Sequence, residues 1–101
     1  MKEKIVQRLI DIPEYMFNKM NEICTNENIS LNYFVNKAID NNFNDNLSLI
    51  NVSKRMDTES IRLRIKFDLY IKLKECTKEW NISMQKIIIH FILCELKRYK
   101  F

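Results

Sequence analysis

The chain has 101 residues, a formal net charge of +4, one proline and no glycine. Its length is typical of one globular domain, and its 47% of hydrophobic residues is enough to form a core. Without glycine the chain cannot form the glycine-rich phosphate loops of nucleotide-binding proteins, which need that residue for tight turns. An all-β fold built from many tight hairpins is disfavoured for the same reason.

Apolar runs and cysteines indicate the compartment. The longest apolar run, residues 87–94, is much shorter than the roughly 20 residues of a membrane span, and the N-terminus lacks the apolar core of a signal peptide. Three widely spaced cysteines (Cys24, Cys76 and Cys94) support neither a disulfide framework nor a zinc site, and His90 with Cys94 is too small a set for a metal. We therefore expect a reduced, cytoplasmic protein with no membrane association, metal, cofactor or small-molecule ligand.

An internal repeat is the most informative feature. The tripeptide Asn-Ile-Ser occurs at residues 28–30 and again at 81–83, which is an offset of 53. The same offset aligns residues 9–43 with 62–96, where only seven of the 35 pairs are identical but thirteen are apolar in both segments. Shared apolar positions with few identities indicate two copies of one small structure.

Each copy is predicted to contain one strand and two helices. Residues 60–65 alternate strictly between polar and apolar side chains, the period-two pattern of a half-buried strand. Residues 7–12 alternate less cleanly. Apolar residues at helical spacing follow each run, so we expect a first helix from about Pro13 in copy one and about Lys66 in copy two.

The repeated tripeptide predicts how the two helices of each copy are joined. Asparagine tolerates the left-handed backbone conformation that ends many helices, so Asn28 and Asn81 are expected to end the first helix. Serine accepts hydrogen bonds from the free N–H groups of a helix start, so Ser30 and Ser83 are expected to cap the second helix.

The second helices carry a familiar pattern. Residues 30–39 read Ser-Leu-Asn-Tyr-Phe-Val-Asn-Lys-Ala-Ile, and residues 83–92 keep the same apolar positions. With the preceding strand and helix, this pattern resembles the ribbon-helix-helix family of DNA-binding proteins, the Arc and methionine-repressor type. The departures are asparagine for the turn glycine in both copies, and Lys66 where the pattern has proline.

The resemblance implies a mainly α fold with a short β-ribbon. A lone strand is not stable, and the family pairs two units to form one ribbon. We therefore expect a tandem ribbon-helix-helix chain, strand-helix-helix twice, that folds as an intrachain pseudo-dimer with a two-stranded antiparallel ribbon. Pairing by domain swapping between two chains is the alternative.

The resemblance also implies which residues contact DNA. The ribbon of this family enters the major groove, and its outward side chains read base edges. The implied base-binding residues are Gln7, Leu9, Asp11, Ser60, Arg62 and Arg64. The implied phosphate-binding residues, at the starts of the second helices, are Ser30, Leu31, Asn32, Ser83, Met84, Gln85 and Lys86. In this register Arg8 faces the core, unless the strand is shifted by one residue or Arg8 lies at an edge.

Charge is divided unequally along the chain. Copy one (1–43) has a net charge of −1, the linker (44–58) is neutral, and copy two (59–101) has a net charge of +5. Phosphate attraction is therefore expected mostly from copy two, and two unequal copies need not bind a palindrome.

These features predict a function without catalysis. The leading hypothesis is sequence-specific binding of double-stranded DNA, in a transcriptional repressor. The sequence leaves open whether two pseudo-dimers self-associate on the DNA. The alternatives are a protein-interaction module that has lost DNA reading, and an accessory factor of plasmid or phage DNA maintenance. No arrangement of serine, histidine, cysteine or paired carboxylates predicts an enzyme.

Overall fold

The structure is a computed structural model that describes residues 4–42 and 57–99, which we call the first half and the second half. Its elements are β1 (Ile5–Pro13), α1 (Glu14–Glu27), α2 (Leu31–Asn42), β2 (Thr58–Lys66), α3 (Phe67–Trp80) and α4 (Met84–Lys97). Adding 53 to the bounds of β1 and α1 gives the bounds of β2 and α3. Of the predicted linker, residues 44–56 lie outside the described residues, as does Phe43, while Thr58 already belongs to β2.

The fold class predicted from the sequence, a tandem ribbon-helix-helix repeat, is wrong. The described residues form one two-stranded antiparallel sheet in a mostly helical β-α-α-β-α-α chain, not a strand-helix-helix repeat with a ribbon in each unit. Each half supplies a single strand, whose backbone N–H and C=O groups need a partner strand. Because β1 pairs with β2, the ribbon belongs to the whole chain.

The core is continuous between the halves. The inner face of the ribbon buries Ile10 and Ile12 of β1 together with Leu63 and Ile65 of β2, and all four helices pack residues into the same cluster. Helix α4 is the most deeply buried, with nine of its 14 residues buried, as expected for a helix that is apolar on most sides. Within the described residues, no helix combines the length and the apolar content needed to cross a membrane.

The predicted turns are confirmed. Asn28 and Asn81 end α1 and α3 with left-handed backbones, at φ values of 57° and 54°. At the starts of the next helices, Ser30 Oγ accepts a hydrogen bond from the Tyr33 N–H at 3.0 Å, and Ser83 Oγ accepts one from the Lys86 N–H at 3.3 Å. The sequence therefore specifies both helix-helix joints locally.

A buried polar cluster joins the C-terminal ends of α2 and α4. Asn42 and Glu95, which are 53 residues apart, are both buried, and Asn42 Nδ2 lies 3.4 Å from Glu95 Oε1. The same amide nitrogen donates to the carbonyl of Ala38 at 2.6 Å and to that of Phe91 at 3.4 Å. Arg98 donates to Asn42 Oδ1 at 3.2 Å and lies 3.5 Å from Glu95 Oε1. The two halves thus meet through unlike side chains at this position.

Candidate nucleic-acid interface

The six residues implied to bind bases come together on the outer face of the ribbon. The antiparallel register places them directly opposite one another in three cross-strand pairs, which are Gln7–Arg64, Leu9–Arg62 and Asp11–Ser60. All of them are exposed except Asp11, which is half-buried. Leu9, at the centre of the face, is 64% exposed.

One of these pairs is bonded internally. Ser60 Oγ donates a hydrogen bond to a carboxylate oxygen of Asp11 across the two strands. The hydroxyl and carboxylate therefore satisfy each other on the outer face, whereas no such bond links Gln7 to Arg64 in the described residues.

The register of β1 is the unshifted one. Gln7 and Leu9 are exposed, while Arg8 faces the helices opposite Leu63 and is half-buried. The Arg8 Nε atom is buried and has no hydrogen-bond partner among the described residues. The aliphatic part of Arg8 thus occupies a position where the alternation calls for an apolar residue.

Helix α2 holds the free edge of β2 through two asparagines. Asn32 Oδ1 accepts a hydrogen bond from the Arg64 N–H at 3.0 Å, and Asn36 Oδ1 accepts one from the Lys66 N–H at 3.1 Å. Asn36 Nδ2 also donates to the Arg64 carbonyl at 2.8 Å. These bonds satisfy strand groups that face away from β1, and they fix the first turn of α2 beside Arg64.

Helix α4 contacts the free edge of β1 more sparingly. Gln85, the position equivalent to Asn32, accepts a hydrogen bond through Oε1 from the Asp11 N–H at 3.4 Å. The first turns of α2 and α4 therefore lie along opposite edges of the ribbon, beside Arg64 and Asp11. Both turns begin at residues implied to bind phosphate, and the N-terminal turn of a helix carries partial positive charge.

The two ends of the ribbon are closed by equivalent backbone bonds. At one end the Phe67 N–H donates to the Lys4 carbonyl at 3.0 Å, and at the other the Glu14 N–H donates to the Asp57 carbonyl at 2.9 Å. We call these the Lys4 end and the Asp57 end. Lys4, Lys66, Phe67 and Asp68 line a surface cavity, and the Lys4 ammonium lies 5.6 Å from the centre of the Phe67 ring.

Three residues near the interface were not predicted from the sequence. Lys66 belongs to β2 and continues the outward alternation of Ser60, Arg62 and Arg64, whereas the sequence predicts a helix from about this residue. Lys4 lies at the same end, where its carbonyl accepts a hydrogen bond from the Phe67 N–H, and Asn36 follows Asn32 by one helical turn. The alternation signals Lys66, but no local pattern identifies Lys4 or Asn36, because their positions depend on contacts between the halves.

No metal centre accompanies the interface in the part of the chain that the structure describes. Cys94 Sγ lies 3.5 Å from His90 Nε2, but residues 4–42 and 57–99 contain no group of three or more potential metal ligands. Cys24, Cys76 and Cys94 form no disulfide within the described residues.

Comparisons of the chain with protein-family models, with curated proteins and with solved structures find no match. The likeness to the ribbon-helix-helix family therefore remains a prediction from the sequence, and no family is assigned.

Proposed function

We propose that the chain binds double-stranded DNA sequence-specifically through the outer face of its β-ribbon and represses transcription by occupying regulatory DNA. The observation that carries this proposal is the exposure of Gln7, Arg62 and Arg64 together on one face of a two-stranded ribbon. Arginine can donate two hydrogen bonds to guanine, and glutamine can pair with the major-groove edge of adenine. Such a protein works inside the cell.

The shape of the ribbon suits this binding mode. Two paired strands lie about 4.8 Å apart, and the major groove of B-form DNA is about 12 Å wide, so the groove admits a two-stranded ribbon. Leu9 lies exposed at the centre of the face, where it would contact a thymine methyl group.

The helices beside the ribbon supply backbone contacts. Hydrogen bonds from Asn32 and Gln85 hold the first turns of α2 and α4 along its two edges. A ribbon in the groove would bring these turns close to the phosphates that border it, where helix N-termini favour negative charge. Lys86 adds an exposed positive charge to the first turn of α4.

A binding titration against a pool of genomic DNA fragments, at two salt concentrations, tests the proposal. We expect selective enrichment of some fragments and weaker binding at higher salt, since phosphate contacts release counterions. Arg62→Ala or Arg64→Ala should lower the affinity for an enriched fragment by about 1–3 kcal/mol and relax the preference at one base position.

Lys97→Ala is the matched control. It also removes one exposed positive charge, but it lies at the far end of α4, roughly 20 Å along the helix from its first turn. Equal losses of DNA affinity in Lys97→Ala and Arg64→Ala would show that net charge alone accounts for the effect. Absence of any salt-dependent, selective binding would refute the proposal.

A protein-interaction module on the same surface is the second candidate. Its support is the exposed apolar side chain of Leu9 beside the internally bonded Asp11 and Ser60, a combination suited to a protein partner. A stoichiometric protein partner, captured by a chain that fails the DNA titration, would favour it. A role in plasmid or phage DNA maintenance uses the same DNA chemistry, and it differs in which fragments are enriched.

A further inference from the structure

The pairing register relates the two ends of the ribbon to each other. Leu9 and Arg62 are 53 residues apart, and the register places them directly opposite one another at the centre. Exchanging the two strands about this central pair therefore converts the Lys4 end into the Asp57 end. In a ribbon of two identical strands, the two ends would be chemically equal and would read equal half-sites.

Here the equivalent pairs differ. At the Lys4 end Gln7 lies opposite Arg64, and both side chains are exposed. The corresponding pair at the Asp57 end is Ser60 opposite Asp11, where the carboxylate already accepts the serine hydroxyl. Gln7 and Arg64 are good partners for adenine and guanine, whereas phosphates repel the Asp11 carboxylate.

The Lys4 end and the Asp57 end also differ in formal charge outside these pairs. Lys4 at one end corresponds to Asp57 at the other, and Lys66 corresponds to Pro13. At the Asp57 end a positive charge comes from Lys86, which lies in the first turn of α4 rather than on the reading face. That end therefore has a group for the DNA backbone, while its two outward side chains, Ser60 and Asp11, are already bonded to each other.

From these pairs, and resting on the proposed function, we propose that the DNA site of this chain is one-sided. The Lys4 end reads bases in one half-site through Gln7 and Arg64. The Asp57 end contacts only the backbone of the other half-site. The preferred DNA is thus a non-palindromic sequence with a guanine and adenine requirement on one side of its centre.

Selection from a random-sequence duplex pool tests this inference. The wild-type chain should enrich duplexes whose sequence preference is confined to one half. Arg64→Ala should lower affinity for the enriched duplex about ten-fold or more and erase part of that preference. Lys97→Ala should enrich the same sequence as the wild type.

A symmetrised variant provides the sharper test. Asp11→Arg together with Ser60→Gln places at the Asp57 end the residues that the Lys4 end carries at equivalent positions. This variant should enrich an inverted repeat of the wild-type half-site and bind that repeat about ten-fold or more tightly than the wild type does. Chemical denaturation of both proteins would verify that these exposed substitutions leave the fold intact.

The outcomes separate this inference from the proposed function. A wild-type chain that enriches an inverted repeat, with equal preference in both halves, overturns the one-sided site while keeping DNA binding. A symmetrised variant that selects the same one-sided sequence as the wild type overturns it too. A wild-type chain that enriches no sequence at all overturns the proposed function and this inference together.

Discussion

The two halves of the chain share a backbone plan but differ in the polar residues at equivalent positions. Ile39 and Ile92, which are 53 residues apart, are identical and fully buried. Asn42 and Glu95 have the same offset and are also buried, yet they are unlike residues bonded to each other. Apolar core positions such as that of Ile39 and Ile92 are thus alike in the two halves, whereas the buried polar positions of Asn42 and Glu95 differ. We therefore expect substitutions at the shared apolar positions to lower the free energy of unfolding equally. Substitutions at the differing polar positions should lower it unequally.

Ile39→Ala and Ile92→Ala test the shared apolar positions, and they have the largest expected effect on the free energy of unfolding. Each removes a fully buried side chain from the common core, so each should lower the free energy of unfolding by about 2–5 kcal/mol. Urea denaturation followed by circular dichroism measures both. Because one core serves the whole chain, we expect a single transition in each variant. Separate transitions for the two halves would contradict a common core.

The buried polar cluster should respond unequally. Asn42→Leu deprives the buried Glu95 of a donor and should lower the free energy of unfolding by about 1–3 kcal/mol. Glu95→Leu should lower the free energy of unfolding by less, because Asn42 Nδ2 still donates hydrogen bonds to the carbonyls of Ala38 and Phe91. Urea denaturation of both single variants and of the double variant checks this.

The double variant is the control for coupling between these two residues. With both polar groups removed, neither leaves the other unsatisfied, so the loss should be smaller than the sum of the single losses. Additive losses would show that Asn42 and Glu95 act independently.

The contacts of this buried cluster could not be predicted from the sequence, in contrast to several other features of the fold. The helix joints were predictable because Asn28 and Ser30 act on backbone groups within a few residues of themselves. The strict alternation of residues 60–65 predicted both that β2 is a strand and which of its side chains face outward. The difference between the ribbon ends was not predictable, because it depends on which β1 residue lies opposite Arg64. The contact of Asn42 with Glu95 is likewise a long-range one.

The edges of the ribbon give a third, smaller contrast. Asn32→Ala removes a 3.0 Å hydrogen bond to the Arg64 N–H, and Gln85→Ala removes a 3.4 Å bond to the Asp11 N–H. The freed groups can bind water, so we expect losses of about 1 kcal/mol for Asn32→Ala and less for Gln85→Ala. Urea denaturation of the two variants in parallel measures the difference. A larger loss in Gln85→Ala would mean that α4, and not α2, anchors the ribbon.

The smallest expected effect is a pH dependence that both halves share. Burial raises the pKa of the Cys24 thiol in α1 above its ordinary value of 9.0, and the nearby Glu27 raises it further. Burial likewise raises the pKa of Cys76 in α3, with Glu79 and Glu75 adding to it. The folded chain therefore holds these thiol protons more tightly than the unfolded chain does.

The direction of the effect follows from proton binding. Above pH 9.0 the unfolded thiols ionise first, so the unfolded chain binds fewer protons and the free energy of unfolding falls as pH rises toward the folded pKa values. Cys24→Ala and Cys76→Ala should each make this decline shallower, in urea denaturation at a series of pH values under reducing conditions. A decline unchanged in both variants would assign the alkaline sensitivity to other groups. A change in Cys24→Ala alone would show that the two halves do not bury their thiols equally.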